Sequence, residues 1–428
     1  MFEVKDLKGK VRDIIFSNMI KGYSKNLDME YCYTKPAEER YPFQYFWDSC
    51  FHIYIFLALN EKHHAKHHFK SLLAPQHDDG FIGNIIYWKR TFPAKLTDFF
   101  QMRTRDIFSF TFPRMSSIIQ PPLLGQTALK IYESTGDKEF IKSVLPQIKR
   151  YYNWLLSRDF DGDGLLSLIS NFESGMDWKP SYDEVLGYSG KGDKRLFYRV
   201  VFNDMRNFLL NYDLDKISDS DHYRIKDAGF NAIYINNLNS LADLCDIVED
   251  KEAGIFRKRA DKALQSMMEL LYDEEDVAFY DVAGKENRKL KTLTPTVFYP
   301  AIMNNVPREI KEKLMSRYFF EKEDFKTPFS LPSVSKFDKA FYPGESMYLW
   351  RGPVWIVNNW LVHKYLLKNG HQEQARDLVD GILRLISKSG FREYYDPYTG
   401  EGYGAKNFTW SGIVLDMIDS EQETLRRA

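Results

Sequence analysis

The sequence predicts one all-α domain of stacked helical hairpins. Three observations predict it. Apolar residues recur at helical spacing almost end to end, helix start and stop signals punctuate that pattern, and no Gly/Ser- or Pro-rich linker divides the 428 residues. The segment DSCFHIYIFLALN, from Asp48, is apolar on nearly every face, as a buried helix is. In PPLLGQTALKIYESTGDKEFIKSVLPQIKRYYNWLLSRD, Pro121 and Pro122 open one helix, and the Gly136-Asp137 turn separates it from a second. The helical pattern continues through NDMRNFLLNYDL, NNLNSLADLCDIVED and GIFRKRADKALQSMMELLYDEED. It resumes in GESMYLWRGPVWIVNNWLVHKYLLKNG, QEQARDLVDGILRLISKSG and KNFTWSGIVLDMIDS. Strand signals are short and weak, as in VAFYDVAG. No sequence repeat accompanies the helical beat, which argues against a regular solenoid.

Composition narrows the function classes. Hydrophobic residues make up 44% and charged residues 28%, which is ordinary for a folded chain and argues against disorder. A net charge of −1 and the lack of a basic stripe argue against nucleic acid as a partner. The three cysteines, Cys32, Cys50 and Cys245, are scattered and odd in number, which points to reduced thiols of a cytoplasmic protein. MFEVKDLKGKVRD alternates charges without an apolar core, so no secretory signal is expected, and the run Ile53–Leu59 is too short to span a bilayer. No Gly-rich phosphate loop is present, so no nucleotide or other cofactor is expected. Aromatics reach 16%, more than a core requires, and flat rings suit a ligand with an apolar face and a hydroxyl rim. The expected partner is therefore a small carbohydrate, with no membrane role. A homo-oligomer is compatible with this composition.

Six long segments break the helical rhythm: YPFQYFWDSC, QHDDGFIGNIIYWKR, SSIIQPPLLGQ, NFESGMDWKP, FYPGESMYLWRGPVW and FREYYDPYTGEGYGAKNFTWSG. Loops of this length in a compact domain tend to be functional. They concentrate Trp, Tyr, Asp and Glu, as a carbohydrate pocket does.

At these segments the chain resembles a clan of inverting α-glycosidases. The clan includes processing α-glucosidase I, trehalase-like enzymes, and the mannosylglycerate and glucosylglycerate hydrolases. The matching words occur in family order from about Tyr41 to Gly412: QYFWDSCFH, DDGFIGNIIYW, QPPLLGQTALKIYESTGD, DFDGDGLLSLISNFESGMDWKP, YLWRGPVWIVNNWLV and EYYDPYTGEGYGAKNFTWSG. The resemblance implies an (α/α)6 barrel spanning residues 1–428 as a single catalytic domain. The length leaves no room for the N-terminal β-sandwich of larger members and looks most like the small glycosylglycerate hydrolases.

Inverting hydrolysis requires a protonated acid and a carboxylate base on opposite sides of the scissile bond, roughly 6.5–9.5 Å apart. Asp177 is the candidate acid, because Met176 and Trp178 could desolvate it and hold it protonated. A turn or N-cap role after Gly175 is the local alternative, and resemblance to the family's Ser-Gly-x-Asp pattern favours the acid. Many relatives carry Asn-Ser-Pro after that Asp, where this chain has Trp178-Lys179-Pro180, which bears on specificity. Glu393 in FREYYDP is the candidate base, favoured over Glu401 by resemblance to a Glu-x-Tyr pattern. Glu401, among Gly400, Gly402 and Gly404, is expected to order its loop or contact substrate. Glu173 is expected to support its loop or bind a sugar hydroxyl.

Trp47 and Asp48 resemble the family's sugar-holding pair, with a ring face for stacking and a carboxylate for vicinal hydroxyls. Asp48 could equally cap the following helix. Gln120, Tyr87, Trp88, Trp178, Trp350, Trp355 and Trp410 are further candidate pocket residues, the tryptophans having a core role as the alternative. Arg351 either meets a substrate carboxylate or pairs with an acid such as Glu345, and the pairing is favoured.

No metal is expected. His63 with His67, and His64 with His68, stand at i,i+4 on one helix, but three lysines crowd them and no Glu lies between, so a solvated helix face is expected. Asp159, Asp161, Asp163 and Gly164 match the first half of a calcium loop, yet Ser170 stands where the bidentate Glu belongs. The turn is read as aiming the Asp177 segment.

The predicted activity is inverting hydrolysis of a small α-glucoside or α-mannoside, with mannosylglycerate or glucosylglycerate first. A trehalase or an oligosaccharide α-glucosidase is the alternative within the class. The same fold also supports sugar epimerases, which need histidine chemistry where only His77 is available, and non-catalytic sugar binding.

Overall fold

Helices whose sequences are apolar all round lie innermost. The computed structural model of the protein describes residues 4–89, 96–109, 111–321 and 323–427. Its helices are α1 (Val4–Ser17), α2 (Phe46–Ala58), α3 (Lys62–Leu73), α4 (Leu96–Phe100), α5 (Thr104–Ile107), α6 (Leu124–Thr135), α7 (Lys138–Trp154) and α8 (Lys194–Leu209). After them come α9 (Leu214–Ser220), α10 (Ala228–Ile247), α11 (Ala253–Leu270), α12 (Arg308–Met315), α13 (Ile356–Lys368), α14 (Gln372–Ser389) and α15 (Val414–Arg427). In α2 every residue from Phe46 to Leu57 is buried, and α10 and α13 are buried on nearly all faces. The amphipathic helices α3, α7, α11 and α14 lie outside them, each packed on an inner helix.

The inner neighbours close on themselves. Helix α2 packs on α6, and α6 on α10. The tight turns Pro295–Phe298 and Pro300–Ile302 touch both α10 and α13. Helix α13 meets α15, and α15 returns to α2. One continuous apolar core runs through these elements, from Leu7 to Ile418.

The expected punctuation is present. Helix α6 ends at Gly136, whose φ of 68° is left-handed, and Asp137 caps α7 by accepting from the Phe140 N–H. The helix expected across GESMYLWRGPVWIVNN begins only at Ile356. Residues 344–355 are loop, with Trp350 at a positive φ of 65°.

Helix dominates, but short antiparallel pairs depart from a purely α reading. Met19–Ser24 pairs with Met29–Thr34, and Arg392–Tyr395 with Gly402–Lys406. Ile85–Tyr87 pairs with both Gln44–Tyr45 and Arg114–Met115. VAFYDVAG yields the strands Ala278–Phe279 and Asp281–Ala283. Runs of two to six residues are too short for a period of two to stand out in the sequence. Among the described residues no helix is long and apolar enough to cross a membrane. All three cysteines are free and buried.

Candidate active site

Eight separate stretches of chain converge on a cavity of about 120 Å³. Trp47 and Asp48 enter from the first turn of α2, and Arg40, Tyr41 and Tyr45 from the loop before it. Asn84, Asp98, Gln101 and Gln120 line it next, followed by Gly175 and Asp177, then Trp350 and Trp355, and finally Glu393, Phe408 and Trp410.

The start of α2 is held by its neighbours. Tyr45 provides no side-chain cap. Instead the Asn84 carbonyl accepts from the Phe46 N–H at 2.9 Å, and Gln120 Oε1 from the Trp47 N–H at 3.0 Å. These contacts satisfy donors that a helix start leaves open. Asp48 therefore sits inside the helix and is not its cap. Burial, with the neighbouring carboxyls of Asp177 and Glu393 adding to it, pushes the Asp48 carboxyl up to about 8. That shift carries a stability consequence. The folded value lies above the unfolded one, so stability is lost as pH rises from about 4 through about 8. Asp48→Asn, which cannot ionise, is expected to be more stable than wild type by on the order of a few kcal/mol at pH 8 and about equal at pH 4. Thermal melts across that range check it.

Asp177 is half-buried between two buried side chains, Met176 and Trp178, neither of which lines the cavity. The turn before it is fixed by Gly175, at φ 76°. A Cβ there would lie 2.5 Å from the Trp47 ring, so only glycine lets this turn rest on that ring.

Glu393 lies on the strand Arg392–Tyr395 and is 1% exposed. The Tyr41 hydroxyl donates to Oε1 at 2.6 Å, while Arg40 Nη1 at 3.0 Å and the Ala405 N–H at 2.9 Å donate to Oε2. A carboxylate, which only accepts, fits three donors. Gly404, at φ 65°, closes the pocket, since a Cβ there would stand 2.4 Å from Oε2.

Another part of the cavity wall is indole. Trp350 and Trp355 stack at 3.7 Å between ring centroids, and Trp410 meets both Trp47 and Trp355 edge-on at 5.7 Å. The indole N–H groups of Trp355 and Trp410 are buried without an acceptor among the described residues, as donors kept for a polar ligand would be.

The other candidates lie away from the lining. Glu173 is fully buried, with Arg158 forked onto both its oxygens at 3.1 and 2.6 Å and the N–H groups of Ile119 and Ile169 donating as well. It fastens its loop. Glu173→Gln is expected to cost about 3–5 kcal/mol by leaving Arg158 charged and unpaired in the core, measurable by urea unfolding. Trp88 donates to Gln44 and stacks on Tyr31, and Tyr87 packs against Phe43. Trp178 lies among Phe172, Phe197 and Tyr348. Arg351 pairs with Asp183 and not with Glu345. Glu401 is exposed at the turn of its hairpin and accepts from Tyr403.

In the calcium-like turn, Asp161 pairs with Arg224 and Lys226, Asp163 pairs with Lys226, and Asp159 accepts from the Gly164 N–H. The protein's own cations occupy the carboxylates of Asp161 and Asp163. His68 is buried and hydrogen-bonded to Thr34, and His64 contacts Glu61, so this pair is engaged within the protein and is not a solvated face.

Sequence reasoning missed Arg40, Tyr41, Tyr45, Asn84, Asp98, Gln101 and Phe408. The position of Tyr41 and Tyr45 within the aromatic run YPFQYFWDSC was the available signal.

Four carboxyls, of Asp48, Asp98, Asp177 and Glu393, and stacked indoles line this cavity, and the chain is a glycoside hydrolase. It belongs to the mannosylglycerate hydrolase MGH1-like glycoside hydrolase family, whose model matches residues 41–411. A mannosylglycerate hydrolase of Thermus thermophilus is 28% identical over 89% of this chain and 95% of its own. A glucosylglycerate hydrolase of Mycolicibacterium hassiacum is 26% identical over 90% and 94%. The crystal structure of a GH63 mannosylglycerate hydrolase from Thermus thermophilus, in complex with Tris and D-glycerate, superposes with a TM-score of 0.82. It is 25% identical over 96% of this chain and 100% of that one.

Proposed function

We propose that the protein hydrolyses a small α-mannoside or α-glucoside with inversion, mannosylglycerate or glucosylglycerate first, with Asp177 as general acid and Glu393 as general base. The observation that carries this reading is that the two carboxyls line one cavity from unrelated parts of the chain, in different surroundings. Glu393 is buried and takes three donors, whereas Asp177 is half-buried on a loop. In the reaction, water gives a proton to Glu393 as its oxygen bonds to the anomeric carbon. The bond from that carbon to the leaving oxygen breaks, and Asp177 supplies that oxygen with a proton. Trp47, Asp48, Gln120, Trp350, Trp355 and Trp410 hold the sugar.

The volume of about 120 Å³ favours a small substrate over an oligosaccharide. The names of the relatives support a glycerate aglycone. The closed order of inner helices and the one large core that runs through them support an (α/α)6 barrel forming one catalytic domain.

Time-resolved proton NMR with mannosylglycerate, glucosylglycerate, trehalose and short α-glucobioses in separate tubes tests the proposal. The β-anomer is expected first, in a glycosylglycerate tube. An α-anomer first would overturn inversion, and turnover confined to trehalose or a glucobiose would overturn the substrate.

A further inference from the structure

Arg40 is a cation in a cavity otherwise rich in carboxylates. Among the described residues that line the cavity it is the only Lys, Arg or His. Its side chain is 35% exposed, yet it reaches a carboxylate that is 1% exposed. It donates to one chosen atom, Oε2 of Glu393.

The donors around Glu393 are divided unequally. Oε2 accepts from Arg40 and from the Ala405 N–H, which fills its two lone pairs. Among the described residues, Oε1 accepts from Tyr41 alone. One lone pair is left on Oε1 for a proton arriving from water.

We infer that Arg40 is a positioning residue for the reaction, fixing Glu393 so that Oε1 is the oxygen that receives the proton of the attacking water. The inference rests on the proposed role of Glu393. Gly404 lies close against Oε2, where an added Cβ would stand 2.4 Å away. Without Arg40 the group keeps the Tyr41 and Ala405 donors but loses its cation and one of two anchors on Oε2. The side chain can then rotate between productive and unproductive poses, which lowers kcat and leaves sugar binding in place. A cation at the cavity could instead receive a carboxylate of the substrate, and the test separates the two roles.

The experiment compares Arg40→Met and Arg40→Lys with wild type on two kinds of substrate: a glycosylglycerate, and the α-fluoride of the same sugar. The fluoride carries no carboxylate and departs without a proton from Asp177, so its hydrolysis reports on the base. Arg40→Met is expected to lower kcat by about 10–100-fold on both substrates, with KM changed less than about threefold. Arg40→Lys is expected to recover part of that loss. Circular dichroism and thermal melts confirm that each variant folds. A loss confined to KM for the glycosylglycerate would overturn the inference and make Arg40 a receptor for the substrate carboxylate. A kcat on the fluoride within about twofold of wild type would overturn it as well. Wild type that cleaves the fluoride but no glycosylglycerate would correct the substrate in the proposed function and leave the Arg40 comparison readable on the fluoride.

Discussion

Asp177→Asn is expected to lower kcat on a glycosylglycerate by about 10²–10⁴-fold and to leave substrate affinity nearly unchanged. The alkoxide of glycerate is a poor leaving group, and an amide has no proton to give it. The same variant should keep most of its activity on the matching α-glycosyl fluoride, because fluoride leaves without protonation. Steady-state rates on the two substrates check the prediction. Equal losses on both would remove Asp177 from the role of acid. The fold should survive the change, since Asp177 is only half-buried and its turn is set by Gly175 lying on Trp47.

Glu393→Gln is expected to be as damaging to kcat, by about 10²–10⁴-fold, but on both substrates, since water must be deprotonated whichever group leaves. It should also destabilise the protein by about 1–3 kcal/mol. Donors approach both oxygens of Glu393, from Tyr41 on one side and from Arg40 and Ala405 on the other. Either orientation of an amide points its own N–H groups at a donor, inside a site that is almost fully buried. Chemical denaturation measures the second effect. A variant with wild-type stability and activity on the fluoride would show that Glu393 does neither job.

The two predictions differ because the two carboxyls are built differently. Asp177 sits on a loop whose shape comes from a glycine. Glu393 sits on a strand and is ringed by donors. Asp48, another acid of the cavity, is buried within α2 near both carboxyls. Its expected gain in stability as Asn follows from placing an ionisable group where ionisation is unfavourable, as binding sites commonly do.

Much of the fold was legible from local signals. The buried helix from Phe46, the Gly136-Asp137 break and the outer amphipathic helices each follow from periodicity and capping within a few turns of chain. The six long loops stood out by breaking the helical rhythm, and parts of all six reach the cavity or the core beside it. The short strands were not legible, because two or three residues carry no periodic signal. The start of α13 was misplaced because Trp350 and Trp355 are apolar for a different reason: they stack on each other at the cavity wall and not along a helix face.

Residue order and composition were enough to define the kinds of element, the loops that matter, and the carboxyl and indole groups available for chemistry. Their division of labour came from packing. Glu173 and Asp177 are four residues apart in one loop, yet one is locked to Arg158 in the core and the other faces the cavity. Trp88 and Trp355 are both buried indoles, yet one spends its N–H on Gln44 and the other, at the cavity, has no acceptor among the described residues. The difference is non-local. Whether a polar group is free to act depends on which donors and acceptors packing brings within about 3 Å of it. Those partners come from distant parts of the chain, as Tyr41 does for Glu393.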